Sequence, residues 1–416
     1  MTSRRLTAFG STGILVTVAV LVLGRGGVAA LGEYGPARTV EVALHRLAGP
    51  GTGDLRAQLE HHVRSTPGVP GAALSATSPR NGLHFNAAAG RLSFGGSSLH
   101  TRDGFRTASV TKPLTAAATL RLVEDGRLKL DQPVGPLLPP ELAGRLRPSA
   151  AQVTLRQLLN HTSGLRDYAA DPRWLATVAT HPQRRWTPTA LVDVALAAGD
   201  PYGPPGGAFH YSDTGYVLLG LILEQVTRRP LADAYRELLP MHRLPATFLE
   251  GSERPTAQAR AGHRAHQYVG PVDFTRFNPT FDAFGGGGLA STARDLDRFV
   301  RALFTGGVFR SPVTLRTMLS TVPAGAGRRY GLGIGYRHLA GEEVWFHEGF
   351  FGAFLAFVPR LDLSLGGSVN QNRGNIERLL TATIKTSRDR LVLARAARSG
   401  GRDDHRTCRS RTAVSF

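Results

Sequence analysis

The chain has almost no cysteine: Cys408, close to the C-terminus, is the one thiol in 416 residues. No disulfide can form within it, and a thiolate metal centre is excluded. Lysine is nearly as scarce. Lys112, Lys129 and Lys385 are three of the fifty basic residues, and all the others are arginine. Where this chain needs only a positive charge it uses Arg, so each Lys raises a question about chemistry. Arginine stays protonated in a protein, whereas a desolvated lysine can release its proton and act as a base. Basic runs and interleaved aromatic ladders are missing too. The formal net charge of +19 is spread along the whole length, which argues against nucleic acid as a partner and leaves a general affinity for acidic envelope polymers. There is no internal repeat. Phe351 stands where a second histidine would complete a metal motif with His347 and Glu348, and His263 and His266 sit in a polar loop. No metal is expected. The glycines at 285–288 lack the Lys and Ser/Thr of a phosphate loop, so no nucleotide or other cofactor is expected.

What is present is globular. Hydrophobic residues make up 42% and charged residues 19%, enough for a large domain or two lobes with a sizeable core. Arg4 and Arg5 precede an uncharged stretch from Leu6 to Gly24, and Val28-Ala29-Ala30 follows. That is the layout of a secretory signal or membrane anchor over residues 1–30. An exported protein is expected, either secreted or held on the outer side of the cytoplasmic membrane.

Residues 31–53 read as a linker. Leu55, Leu59 and Val63 then recur at helical spacing. Two strand-like runs follow at 71–76 and 84–89, and an apolar helix begins near Ser109 and stops before Gly126. The middle third is mostly helices and loops, with Pro188 opening one helix after Thr187 and Tyr216, Leu219, Leu223 and Val226 marking another. Asp213 is expected to cap the latter, and Ser291 to cap a helix whose apolar face is Leu296, Phe299, Val300 and Leu303. Runs at 330–336, 343–347, 352–358 and 363–371 come in quick succession and favour an antiparallel sheet, followed by a helix from about Asn375. The fold class is therefore α+β. The folded domain spans 54–385, and a helical lobe at about 126–284 is inserted into a sheet lobe built from both ends. Residues 386–416 complete the last helix and form an Arg-rich tail. A ligand cleft is expected where the lobes meet.

Three segments carry candidate chemistry. Pro113 is tolerated only in the first turn of a helix, so the helix starts close to Ser109, and residues three apart share one face. Ser109 and Lys112 are thus neighbours, at a helix end whose free N–H groups and positive potential favour a developing oxyanion. A desolvated Lys112 can then take the serine proton. The second segment is Tyr211-Ser212-Asp213, a Pro/Gly-rich loop running into a helix. It offers a phenol for proton shuttling and a carboxylate to hold Lys112 or a substrate amide. The third is His347-Glu348-Gly349-Phe350 at a strand end. There His347 is a candidate proton donor near neutral pH, and the Phe350 N–H a candidate oxyanion donor.

Taken in order, these segments resemble the three motifs of the penicillin-recognising serine hydrolases, a group that includes class C β-lactamases, D-alanyl-D-alanine carboxypeptidases, D-aminopeptidases and related esterases. Ser109-Val110-Thr111-Lys112 resembles Ser-x-x-Lys, Tyr211-Ser212-Asp213 resembles Tyr-x-Asn, and His347-Glu348-Gly349 resembles Lys-Thr-Gly in its His-x-Gly form. The stretches from Leu158 to Leu165 and from Gly287 to Leu296 are similar to the family as well. The resemblance implies an α/β sandwich lobe with a helical lobe, and an acyl-enzyme formed on Ser109 and then hydrolysed. It also implies proton exchange between Lys112 and Tyr211, and an oxyanion hole from the N–H groups of Ser109 and Phe350. Asp213 stands where Asn is commonest and should hold Lys112 protonated. Glu348 stands where many members have Thr and should repel a substrate carboxylate. An uncharged or cationic ester or amide, small or peptidic and of cell-wall origin, is the expected substrate, in a reaction of esterase, D-aminopeptidase or D-alanyl-D-alanine carboxypeptidase type. The alternative is a penicillin-binding sensor, or an envelope-peptide binding module, with little or no turnover.

Overall fold

A computed structural model describes residues 52–146 and 148–400. The expected signal or anchor, nearly all of the 31–53 linker and the final sixteen residues lie outside them. No helix among the described residues is long and apolar enough to cross a membrane.

The centre is an eight-stranded antiparallel sheet. Strands β1 (Gly71–Ser78) and β2 (Leu83–Gly90) form a hairpin near the start of the chain. Short strands β3 (Phe105–Arg106), β4 (Phe248–Leu249) and β7 (Leu289–Ser291) make a separate small sheet, and β5 (Tyr268–Val269) pairs with β6 (Val272–Asp273). The remaining strands are β8 (Val322–Pro323), β9 (Arg329–Tyr330), β10 (Gly335–Leu339), β11 (Glu342–Glu348), β12 (Ala353–Val358) and β13 (Leu363–Ser368). The order β2-β1-β13-β12-β11-β10-β9-β8 sets the first hairpin against the last strand, so Leu74 lies opposite Gly367. The two chain ends close one sheet, as the sequence suggests.

Helices cover both faces. The opening helix Thr52–Ser65 and the final helix Ile376–Gly400 pack together on one side. Leu55 and Leu59 from the first meet Leu379, Leu380 and Ile384 from the second over Leu74, Phe354 and Leu365 of the sheet. Each fully buried Leu contributes about 1.5–3 kcal/mol. On the other side the helix Ala293–Phe304 lies across β13, β1 and β12. Its approach is so close that a Cβ on Gly366 would sit 2.4 Å from the Asp297 nitrogen. Asp297 locks this layer, accepting hydrogen bonds from Ser75 Oγ and Thr77 Oγ1, both at 2.7 Å.

The middle of the chain builds the second lobe around two helices that are buried on every face, Lys112–Glu124 and Asp213–Thr227. A helix apolar all round belongs in a core, and the two pack against each other.

Some local expectations shift. Thr292 caps the Ala293–Phe304 helix, accepting from the Asp295 N–H, whereas Ser291 ends β7. Asp213 does not cap its helix. Ser212 occupies that position without a side-chain cap bond, and Asp213 is the first helical residue. The run at 330–336 divides between β9 and β10.

Candidate active site

The nucleophile segment turns sharply. β3 ends at Arg106, and Ala108 takes a left-handed φ of 45°, uncommon for a residue with a side chain. A 3-10 turn over Ala108–Thr111 then leads into the Lys112–Glu124 helix, with Pro113 in its first turn. Pro113 thus fixes the helix start as its chemistry demands. The result puts Ser109 at the mouth of a buried helix and folds Lys112 back onto it.

Lys112 is fully buried, and its Nζ donates to Ser109 Oγ at 2.9 Å and to the Gly286 carbonyl at 2.9 Å. A third hydrogen bond goes to Asp213 Oδ1. Burial works against the ammonium, but Asp213 and then Tyr211 outweigh it and push the Lys112 pKa up. The lysine is held charged, as Asp213 leads one to expect.

Tyr211 closes the group. Its ring lies over the amine, 4.9 Å from centroid to Nζ. Burial is the main force raising the phenol pKa, and the Lys112 charge only partly offsets it. The ring is held from behind by His161, 4.2 Å away between centroids. His161 Nδ1 accepts the Ser212 N–H at 3.2 Å. Burial, then the Lys112 charge, pushes the His161 pKa well down, so it stays neutral.

The β11 end supplies the opposite wall. A Cβ on Gly349 would lie 2.1 Å from the Thr107 carbonyl oxygen, so only glycine lets this strand end press against the segment that carries Ser109. Phe350 follows in the turn. Neither the Ser109 nor the Phe350 N–H makes a turn or loop hydrogen bond among the described residues, and both residues line one cavity.

His347 lines the cavity too, but in a different state from the one expected. Its Nε2 meets the Tyr330 hydroxyl at 2.9 Å and its Nδ1 meets the Glu348 carbonyl at 3.0 Å. Burial first, then the nearby Lys112 charge, pushes its pKa down to about 3. A neutral imidazole with both nitrogens engaged does not donate a proton near neutral pH. It positions the wall of the site. Glu348 also differs from expectation, because Arg337 pairs with its carboxylate at 3.0 Å. With Arg328 and Arg329 on the cavity lining, little repulsion of a substrate carboxylate remains there.

The cavity in front of Ser109 has a volume of about 360 Å3. Its apolar side is built from Trp174, Leu175, Val178, Phe274, Phe281 and Phe351, while Asp167 and Asp282 also face it. Apart from Phe351, noted only for breaking a metal motif, none of these residues stands out in the sequence. No group of three or more potential metal ligands occurs among the described residues.

The family model described as Beta-lactamase matches residues 56–386. The chain belongs to the Beta-lactamase family. The relation accounts for the beta-lactamase/transpeptidase-like fold, and it makes the chain a member of a family of serine hydrolases with esterase, D-amino acid amidase and penicillin-binding neighbours. A D-stereospecific amidohydrolase from Streptomyces sp. superposes with a TM-score of 0.69 and 31% identity, over 80% of this chain and 98% of that one. The D-amino acid amidase from Ochrobactrum anthropi SV3 in complex with L-phenylalanine amide gives 0.68 and 26%, over 82% and 100%. Esterase EstB of Burkholderia gladioli is 31% identical over 269 residues, 56% of this chain and 65% of that protein. The chain spans about half the length of the first curated relatives it matches.

Proposed function

We propose that this Beta-lactamase family member hydrolyses an ester or amide through an acyl-enzyme on Ser109. One observation carries the reading: a fully buried lysine 2.9 Å from the Ser109 hydroxyl, under the Tyr211 ring, with Ser109 itself lining a cavity large enough for a small substrate. The names of the amidohydrolase, amidase and esterase relatives support the same reaction class.

In this reaction the Lys112–Tyr211 pair first releases a proton to solvent, and Ser109 Oγ then attacks the substrate carbonyl as its own proton passes to that pair. The N–H groups of Ser109 and Phe350 take the carbonyl oxygen as it becomes anionic. The tetrahedral intermediate collapses, and the same pair returns the proton to the departing alcohol or amine. Water then repeats the sequence on the acyl-serine, releasing the acid and restoring Ser109. His347 and His161 remain neutral and hold the walls. The charged start and apolar stretch of the N-terminus support an exported location, and peptides or small molecules of the cell envelope would then be the accessible substrates.

Mass spectrometry after fluorophosphonate treatment tests the reading. The expected outcome is one label on Ser109, none in Ser109→Ala, and measurable turnover of at least one of a short-chain p-nitrophenyl ester, nitrocefin and a D-Ala-D-Ala peptide. A label without turnover of any substrate identifies an acylated sensor instead, and absence of label on Ser109 rejects the catalytic reading altogether.

A further inference from the structure

In the sequence Tyr216 marks the apolar face of a helix, and core packing alone would account for it. The fold gives its ring a charged neighbour. Tyr216 is fully buried, three residues after Asp213 on the Asp213–Thr227 helix, so both side chains project from one helical face. Lys112 Nζ lies 5.4 Å from the Tyr216 ring centroid and 4.9 Å from that of Tyr211. The ammonium thus has two aromatic faces beside its three acceptors. A ring face carries partial negative charge, and it attracts a cation most strongly where water is excluded. His161 backs both rings, 4.2 Å from Tyr211 and 5.2 Å from Tyr216 between centroids.

The surroundings hold the Tyr216 ring in place. Its hydroxyl donates to the Leu159 carbonyl at 2.8 Å. A Cβ on Gly333 would lie 3.0 Å from that hydroxyl and 2.3 Å from the Ala116 Cβ. A Cβ on Gly285 would lie 2.1 Å from the Tyr216 carbonyl oxygen, and the next residue in that close contact, Gly286, offers its carbonyl to Lys112. Tyr216 therefore shapes the lysine seat twice, through its ring and through the loop pressed on its backbone. It lies behind the cavity lining that Ser109 and Tyr211 belong to, so it does not meet substrate. The other titratable groups that interact with Lys112 are Asp213 and Tyr211 beside it, Asp167 and Asp282 on the cavity side, and the neutral His161 and His347.

We propose that Tyr216 is a positioning residue of the acyl transfer, whose ring rather than its hydroxyl holds Lys112 against Ser109. The role rests on the acyl-enzyme reading above. Its physical basis is the change in hydrogen bonding during the reaction. Once the amine gives up a proton it has two hydrogens for three acceptors, and its flexible four-carbon stem is free to turn toward Asp213. Hydrogen bonds come and go with that proton, whereas the ring walls stay and restrict the turn.

The test compares Tyr216→Phe with Tyr216→Leu. The first keeps the ring, and the Leu159 carbonyl keeps the Gly333 N–H at 3.1 Å. The second removes the ring. With Ser109 sites counted by a fluorophosphonate, kcat for a p-nitrophenyl ester should fall about tenfold or more in Tyr216→Leu, with little change in KM, and stay near wild type in Tyr216→Phe. A role in packing alone would leave the ionisation of the lysine where it is, so a second readout follows Lys112 itself. Lysine labelled with carbon-13 at Cε gives a spectrum of three residues, Lys112, Lys129 and Lys385, and Lys112→Met assigns the signal. Its titration midpoint should drop by about 0.5–1.5 pH units in Tyr216→Leu, because a face that favours the ammonium is lost, and hold in Tyr216→Phe. An unmoved midpoint, unchanged kcat, or Tyr216→Phe as impaired as Tyr216→Leu overturns the inference and leaves the hydrolase reading standing. If Tyr216→Leu does not fold, ring-fluorinated phenylalanines at position 216 decide. Fluorine drains the negative ring face while keeping the ring, so the midpoint should step down with each fluorine, and a constant midpoint overturns the inference. Wild-type protein with neither label on Ser109 nor turnover rejects both readings.

Discussion

Lys112 donates to Ser109, Asp213 and Gly286, and three donated hydrogens make an ammonium, since a neutral amine has two. Asp213 is the strongest influence keeping that charge against the cost of burial. The resting site therefore holds a protonated lysine and a protonated phenol, and the base forms only as a proton leaves the pair. Activity should rise with pH along the Lys112 ionisation. In Asp213→Asn the amide keeps an acceptor for Lys112 but removes the negative charge, so the amine loses its proton more readily. The rising limb of kcat/KM for a p-nitrophenyl ester should move to lower pH by about 1–3 units, the usual range for removing an adjacent opposite charge. A profile that stays in place, or moves up, assigns the ionisation to another group. In Lys112→Met the side-chain volume stays and the proton acceptor goes. There kcat/KM should fall about 10²–10⁴-fold, read on the same ester with sites counted by fluorophosphonate.

Elements meet at this site by close backbone contact, and Gly349 sets how close. The end of β11 lies on the Thr107 carbonyl, one residue before the left-handed turn at Ala108. A methyl group there has no space and no flexible side chain to displace. Gly349→Ala should cost about 1–3 kcal/mol and move Phe350 away from Ser109, so the thermal midpoint should drop and acylation of Ser109 should slow in the same variant. A drop in stability with unchanged acylation would show that the wall is not part of the oxyanion site. The elements that sequence reveals are those with a local cause. Pro113 fixes one helix start, the Leu55–Leu59 spacing marks another helix, and β11 to β13 arrive with turns between them. β3, β4 and β7 have two or three residues each, too few for alternation to register. Thr292 and Ser291 differ by one place and carry the same hydroxyl, so a cap assigned from residue type alone can slip by one. Ser109, Lys112, Tyr211, Asp213 and Phe350 could be located because each belongs to a motif of several residues. Asp167, Asp282 and the aromatic wall could not, because their importance lies only in what the folded chain places opposite them.

At the scale of the whole molecule, two layers of helix on one sheet bury ionisable groups whose protonation differs between folded and unfolded chains. The neutral histidines come first. His62, His161 and His347 all have lowered pKa values, each mainly through burial. A base with a lowered folded pKa leaves the unfolded chain holding more protons at acid pH, so stability rises with pH until the ordinary histidine value near 6.5 is passed. Above that point these groups add no further slope. Asp167 and Asp282 act in the opposite direction. Their folded pKa values, about 8 and about 7, lie far above the unfolded value near 3.8, so the folded chain holds protons the unfolded chain has lost. Their contribution is complete at low pH and disappears as pH rises through 7 and 8. Lys112, raised above its ordinary value, adds stability that is still complete across this window. The thermal midpoint of the unliganded protein should therefore peak near pH 6–6.5 and decline through pH 8.5, by an amount on the order of 1 kcal/mol. Replacing both carboxyls, Asp167→Asn with Asp282→Asn, removes the titrating groups while keeping their shape, so the decline should flatten. Calorimetry at pH 6.5, 7.5 and 8.5 on both proteins decides it. A wild-type midpoint that rises across that range, or an equal decline in the double variant, would mean that these two carboxyls are ionised in the empty cavity.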